Sequence, residues 1–142
     1  FHYGSKSEGR ASKTADEIPL EWCFNDGIKL NLTHKKADEV ITGEDIEEAL
    51  KNINYQLKPF DIVLLYTGSD KLFGGPEYFS DYPGVDESAI TYLLNKGIRI
   101  FGVDTMGIDR PYKFMMKDFQ ESKDPKHLWP SHFLAGRENL FI

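Results

Sequence analysis

At 142 residues the chain has the length of one ordinary domain and can bury a core of its own. No apolar run approaches the roughly 20 residues that a membrane-spanning helix needs, so the sequence predicts no membrane association. A formal net charge of -6 argues against nucleic acid as a partner, because phosphate binding requires a basic surface.

The start of the chain and its one cysteine bear on processing and location. The chain begins with Phe1 instead of an initiator Met, and its first residues lack the basic-then-apolar pattern of a signal peptide. We therefore expect it to begin inside a longer protein. The one cysteine, Cys23, cannot form an internal disulfide, which favours a reducing cytoplasm. The surrounding "LEWCFNDG" predicts a small buried hydrophobe at Cys23, with a reactive thiol as the alternative.

The first half of the chain predicts a polar segment, two strands and a helix. Residues 4–17 are small, polar and charged, as in a surface loop or flexible segment. Apolar and polar residues alternate over 27–32, which is typical of a half-buried strand. Residues 44–53 have helical spacing, with Thr42 able to cap the helix. The continuous apolar run at 60–68 predicts a strand buried on both faces.

The second half continues the same alternation. Residues 69–84 are rich in Gly, Pro, Asp and aromatic residues, which predicts a long loop of the kind that is usually functional or mobile. A helix is predicted over 87–96, with Asp86 near its start and Gly97 as its stop, and a strand over 98–103. Strand, helix and strand thus recur, which predicts one α/β domain with at least partly parallel strands.

The end of the chain predicts one further helix and one further strand. Residues 110–120 can form a helix that tolerates Pro111 in its first turn. The segment 121–130 then interrupts the pattern, and Phe141 and Ile142 are interpreted as the start of another strand.

Functional groups are expected where buried parallel strands end. Asp104, Thr105, Asp109 and Arg110 follow the strand at 98–103. Asp104 could ligate a metal or orient a ligand, or it could bond backbone amides of its own loop, and the local sequence favours the second role. His34 is predicted to face solvent. His127 and His132 are five residues apart, so they do not share one helical face as a zinc-binding pair would.

Several segments in order carry a family resemblance. They are "ADEVITGEDIEEAL", "DIVLLYTG", "PEYFSDYPGVDESAITYLLNKGIRIFGVDTMGID" and "LWPSHFLAGREN". Together they resemble the cyclase-like metal-dependent hydrolases, the family of bacterial kynurenine formamidase and isatin hydrolase. The resemblance implies a swivelling β/β/α-type domain, with a mixed, partly parallel sheet flanked by helices. It also implies that residues 1–142 are a single domain that is incomplete at both ends.

The resemblance assigns roles to particular residues. Family members carry an N-terminal HxGTHxDxPxH motif whose last histidine shuttles protons, and "FHYG" places His2 at that position. The first metal ligands would then precede Phe1. His132 matches a further metal-binding histidine, and the glutamate that follows it about a dozen residues later would fall beyond Ile142. Glu138 is an alternative, although it is too close to His132 for the family spacing.

The implied activity is hydrolysis of a C–N bond in a non-peptide amide, such as an N-formyl arylamine in tryptophan catabolism or a cyclic amide. The implied cofactor is a divalent metal, zinc or manganese, and the implied partners are a small-molecule substrate and further copies of the chain in a homo-oligomer. Asp104 and Thr105 would orient metal ligands or substrate.

The sequence leaves two alternative functions possible and the role of one loop undecided. The chain could be a catalytically incomplete or metal-free binding or structural domain of the same fold, or an unrelated acidic α/β interaction domain. The aromatic residues of the 69–84 loop could wall an aryl substrate or simply pack beneath the loop; they are Phe73, Tyr78, Phe79 and Tyr82.

Overall fold

A computed structural model describes residues 6–7, 9–11 and 13–142. The strands are β1 (Lys6–Ser7), β2 (Arg10–Ala11), β3 (Gly27–Asn31), β4 (Val40–Ile41), β5 (Ile62–Tyr66), β6 (Gly84–Val85) and β7 (Ile100–Val103). The helices are α1 (Gly43–Asn52), α2 (Glu87–Asn95), α3 (Tyr112–Ser122) and α4 (Pro130–Glu138). Short 3-10 turns connect them at Ala15–Glu17, Leu20–Trp22, Ser69–Leu72, Pro76–Phe79 and Pro125–His127.

A parallel sheet of order β3-β5-β7 lies at the centre of the molecule. β4 and β6 form a second parallel pair, and β1 and β2 an antiparallel one. The predicted α/β class is therefore confirmed. Phe141 also forms a parallel bridge with Ile100, so the chain begins to pair with the free side of β7, as expected for the start of a strand.

The core lies on one face of the central sheet. The side chains on that face are Ile28 and Leu30 from β3, Val63 and Leu65 from β5, and Phe101 from β7. They are covered by α1, α2 and α4, which pack against one another and bury one stripe each. The sheet therefore has helices on its core side.

The opposite face of the sheet is open, and the prediction of a strand buried on both faces at 60–68 is wrong. Leu65 is 1% exposed, but its neighbour Leu64 is 42% exposed. Register aligns Leu64 with Lys29 and Gly102 on this outer face. Successive side chains of a strand point to opposite faces, and the described helices cover only one face of this sheet, so only every second residue of the apolar run lies in the core.

Local signals set the starts and stops of the first two long helices. The Thr42 hydroxyl accepts a hydrogen bond from the Asp45 amide at 3.2 Å, and the Asp45 carboxylate accepts one from the Thr42 amide at 2.7 Å. Asp86 caps α2 by accepting from the Ala89 amide at 2.9 Å. Gly97 has φ +78°, where glycine is favoured over other residues, and it ends α2 as predicted.

The structure corrects two other sequence predictions, for Cys23 and Pro111, and adds detail in the 69–84 loop and around His132. Cys23 is exposed, not buried. The 69–84 loop contains two 3-10 turns and ends in β6. Pro111 immediately precedes α3 instead of lying in its first turn. The segment that contains His132 forms α4, a helix that the sequence patterns did not predict.

None of the helices in the described part of the chain is both long enough and apolar enough to cross a membrane.

Candidate functional site

His132 lies in the first turn of α4, beside the carboxyl end of β7. Its side chain is about one-fifth exposed and lines a cleft of about 260 Å³. The other lining residues are Gly102, Val103, Thr105, Met106, Gly107, Ile108 and Ile142. The structure thus brings together two of the predicted site residues, His132 and Thr105, at the edge of the sheet where functional groups were expected.

A buried carboxylate orients His132. Asp109, in the loop after β7, is only 4% exposed. Its Oδ1 accepts a hydrogen bond from the Ser131 amide at 2.9 Å, and its Oδ2 accepts one from the His132 amide at 3.1 Å. The same Oδ2 also pairs with Nδ1 of the His132 ring. One carboxylate therefore holds both the backbone and the imidazole at the start of α4.

The need for this carboxylate arises from the way α4 begins. Trp129 precedes the helix with φ 55° and ψ 42°, a left-handed conformation that is costly for a residue with a side chain. Pro130 occupies the first helical position, and the Trp129 side chain makes no capping hydrogen bond. The exposed amides of a helix N-terminus favour a negative acceptor, and Asp109 supplies one.

Further backbone contacts fix the same region. The Ser131 hydroxyl is fully buried and donates to the Val85 carbonyl at 2.5 Å. The Val85 amide in turn donates to the Ile108 carbonyl at 2.6 Å. β6, the loop that carries Asp109 and the first turn of α4 are consequently joined by direct hydrogen bonds.

Asp104 lies close to this region but points elsewhere. Its Oδ1 accepts from the Thr67 amide at 2.9 Å and from the Thr67 hydroxyl at 2.8 Å. Its Oδ2 accepts from the Gly68 amide at 2.7 Å. Asp104 therefore bonds backbone amides, as the local sequence favoured, but those of the loop after β5 and not those of its own loop. It joins the carboxyl ends of β5 and β7.

Thr105 lines the His132 cleft, and Tyr82 contacts Met106, another of the lining residues. The buried Thr105 hydroxyl donates to the Gly107 carbonyl at 2.7 Å and so shapes the turn below the cleft. Tyr82 is buried with its hydroxyl 4.0 Å from the sulfur of Met106. Burial raises the pKa of the Tyr82 phenol, and the charge of Asp109 adds to that shift.

The aromatic residues of the 69–84 loop do not form one wall. Tyr82 is buried, whereas Phe73 is 78% exposed. Tyr78 contacts both Phe73 and Phe79 edge-on, at ring-centroid distances of 5.3 Å and 5.8 Å. Three of the four rings therefore form a separate cluster on the surface, and Tyr82 is the one that lies near the cleft.

The remaining histidines are placed as follows. His34 is exposed, as predicted. His127 lines a different, larger cavity of about 730 Å³, together with Asp109, Arg110 and Ser131. His2 lies outside the described residues. Within the part of the chain that the structure describes, no three His, Cys, Asp or Glu side chains form a group that could hold a metal ion.

The sequence places Asp109 among the polar groups that follow the strand at 98–103, but it does not connect Asp109 with His132. The one local signal for Asp109 is its position, five residues after Asp104 in the loop that follows a buried strand. Its partner His132 is 23 residues farther along the chain. Periodicity does not connect residues at that separation, so only the fold reveals the pair.

Comparison with known proteins gives a family match and a set of similar folds. Residues 1–110 match the model of the Cyclase family, described as "Putative cyclase". A crystal structure of an isatin hydrolase bound to the product analogue thioisatinate has a TM-score of 0.68 at 20% identity, over 87% of this chain and 47% of that one. Isatin hydrolase A from Labrenzia aggregata, bound to benzyl benzoate, has a TM-score of 0.67 at 23% identity, over 87% of this chain and 48% of that one.

A third structure is more similar in sequence. A potential metal-dependent hydrolase with cyclase activity has a TM-score of 0.61 at 26% identity, over 94% of this chain and 53% of that one. The chain thus spans about half the length of these solved structures. No curated protein matches it.

Proposed function

Because the chain belongs to the Cyclase family, we propose that its function is the metal-dependent hydrolysis of a C–N bond in a non-peptide amide. The observation that carries this proposal is the His132–Asp109 pair at the edge of an open cleft. Histidines that bind metals commonly donate their other ring N–H to a carboxylate, which fixes the ring orientation and makes the ligating nitrogen more basic. His132 has that arrangement.

The donor set fits a divalent ion in part. His132 would bind it through Nε2, since Nδ1 faces Asp109. Imidazole suits both zinc and manganese sites that are completed by carboxylates, so this residue does not choose between the two metals. The other ligands would come from outside the described residues, as the family resemblance implies.

A bound divalent ion would make hydroxide available near neutral pH and polarise the substrate carbonyl. The chain's own residues would supply the rest. Asp109 would hold the His132 ring in place during the reaction. His2 is proposed to take a proton from the attacking water and to return it to the leaving amine, for which an imidazole with an ordinary pKa of about 6.5 is suited.

The cleft is consistent with a small aromatic substrate. Its volume of about 260 Å³ is near the roughly 300 Å³ at which ligand pockets begin. Met106, Ile108 and Ile142 provide apolar walls, and the Thr105 region provides backbone polar groups. An N-formyl arylamine or a cyclic aryl amide has that combination of a flat apolar ring and one polar carbonyl.

Three further parts of the proposal depend on the sequence. A cytoplasmic location depends on the lone cysteine, Cys23. A role in tryptophan catabolism and assembly as a homo-oligomer depend on the family resemblance. Size-exclusion chromatography with light scattering would test the last of these directly.

Metal content is the first test. Elemental analysis of protein purified without chelator is expected to show zinc or manganese near one ion per chain. His132→Ala should lose that metal. His34→Ala should keep it, because His34 is an exposed histidine that does not line the cleft. Release of the free amine from an N-formyl arylamine would then be measured, with the same two variants.

The competing function is a metal-free binding or structural domain of the same fold. Absence of metal after incubation with zinc or manganese would reject hydrolysis by this chain and favour that alternative. If His132→Ala kept as much metal as His34→Ala, the ion would be held somewhere other than the His132 cleft.

A further inference from the structure

Asp109 makes contacts that a helix cap alone would not require. Two of its three hydrogen bonds satisfy the amides of Ser131 and His132, which is ordinary capping. The third is made to a ring nitrogen of His132, and that contact does nothing for the helix backbone. The carboxylate is therefore positioned for a second purpose.

The chemistry of this contact specifies which nitrogen carries the proton. A carboxylate that already accepts two backbone N–H groups acts as an acceptor, so Nδ1 of His132 must be the donor. In the neutral ring the proton then resides on Nδ1, and the lone pair resides on Nε2. The two nitrogens are separated by one ring carbon and point in diverging directions, so Nε2 is directed away from Asp109.

We propose that Asp109 is a positioning residue that holds His132 in the Nδ1–H tautomer and presents the Nε2 lone pair at the cleft. The consequence for metal affinity depends on the proposed function, whereas the tautomer does not. The burial of Asp109 supports this role.

The tautomer can be measured directly in the metal-free chain. Long-range nitrogen–proton NMR correlations of the imidazole distinguish the Nδ1–H from the Nε2–H form. The spectra would be recorded near pH 9, well above the ordinary histidine pKa of about 6.5. Loss of one signal set in His132→Ala assigns the ring. The wild-type chain is expected to show the Nδ1–H form.

Two variants separate positioning from capping. Asp109→Asn should lose the wild-type tautomer, because an amide cannot accept from three donors and its NH₂ group donates toward the ring or toward an amide. Ser131→Ala is the matched control: it removes a buried hydrogen bond from the same helix turn but leaves the carboxylate in place. It should lower stability and keep the wild-type tautomer.

Zinc affinity gives an independent readout. With zinc chloride as the probe, Asp109→Asn should bind about 10–100-fold more weakly than wild type, the usual effect of losing the partner of a metal-binding histidine. Ser131→Ala should bind zinc as the wild type does. Both affinities would be measured by chelator competition at a temperature where each variant is folded.

The outcomes distinguish this inference from the proposed function. A wild-type ring protonated on Nε2, or an Asp109→Asn ring with the wild-type signature, overturns the inference, even if zinc binds through His132. A wild-type chain that binds no zinc overturns the proposed function, and the metal-free spectra still decide the tautomer. If Asp109→Asn fails to fold, the wild-type and Ser131→Ala spectra are sufficient.

Discussion

Gly84 provides a quantitative test of how tightly β6 packs beside the site. A Cβ atom added at Gly84 would lie 2.5 Å from the backbone nitrogen of Arg110, 2.7 Å from its Cγ and 2.9 Å from its Cα. Two of these atoms belong to the backbone, so a side-chain rotation cannot relieve the overlap. We therefore expect Gly84→Ala to move β6 away from the loop that carries Asp109.

The expected loss in the free energy of unfolding can be estimated from the contacts that Gly84→Ala would disturb. Overpacking a filled site costs about 1–3 kcal/mol. The displaced strand also holds hydrogen bonds from the Gly84 amide to the Glu39 carbonyl at 3.1 Å and from the Val85 amide to the Ile108 carbonyl at 2.6 Å. A loss of at least about 2 kcal/mol in the free energy of unfolding is expected, or roughly 8 °C in Tm for a domain of this size.

Urea denaturation of Gly84→Ala and Gly27→Ala would measure this effect. Gly27 is the matched control, because it also lies in a strand, yet a Cβ atom there would meet nothing within 4 Å. Gly27→Ala should change stability by less than about 1 kcal/mol, in either direction. If the two variants unfolded within about 0.5 kcal/mol of each other, the proposed close packing of β6 against Arg110 would be refuted.

Three other predictions follow from burial and charge. Leu65→Ala should cost about 2–5 kcal/mol in urea denaturation, because it leaves a core cavity, whereas Leu64→Ala should cost less than about 1 kcal/mol; equal losses would contradict the open outer face. For Asp45, burial raises the carboxyl pKa, but hydrogen bonds from Lys35 and Thr42 outweigh it and lower the pKa below the ordinary 3.8. The Asp45 carboxylate therefore stabilises the fold at pH values above 3.8, and this stabilisation is lost as the pH falls through the lowered pKa. Asp45→Asn should flatten the acid limb of a plot of unfolding free energy against pH. In an alkaline absorbance titration, Tyr82→Phe should remove a phenol that ionises above the ordinary 10.0, and an unchanged late phase would show that Tyr82 is not the group responsible.

The elements that could be predicted from sequence are those whose signals are local. The α1 cap depends on Thr42 and a residue three positions later, and α2 depends on Asp86 and Gly97. α4 could not be predicted in this way, because its capping acceptor lies 22 residues before the amide that it binds. Its entry residue Trp129 also has a left-handed conformation that nothing in the local sequence demands.

The candidate site also combines features that the sequence predicts with features that depend on distant contacts. The family resemblance singled out His132, and the structure places it in a cleft at the carboxyl edge of the sheet. Asp109 was expected among the polar groups after β7, but its pairing with His132 was not predicted, because the contact depends on how the loop after β7 meets α4. The orientation of Asp104 toward the loop after β5 likewise depends on the pairing of two strands, although the preference for bonding backbone amides was foreseeable.

The open outer face of the central sheet has a consequence for how this protein can be altered. Core residues and outer residues alternate along each strand, so their side chains lie on opposite faces of the sheet. The outer set is already chemically mixed: the Lys29 ammonium lies 4.3 Å from the centre of the Tyr66 ring, next to an exposed leucine. Charged substitutions at Leu64 would change solubility and self-association and leave the helical layer untouched. The two faces of the sheet can therefore be altered separately: substitutions on the core face change folding stability, and substitutions on the outer face change solubility and self-association.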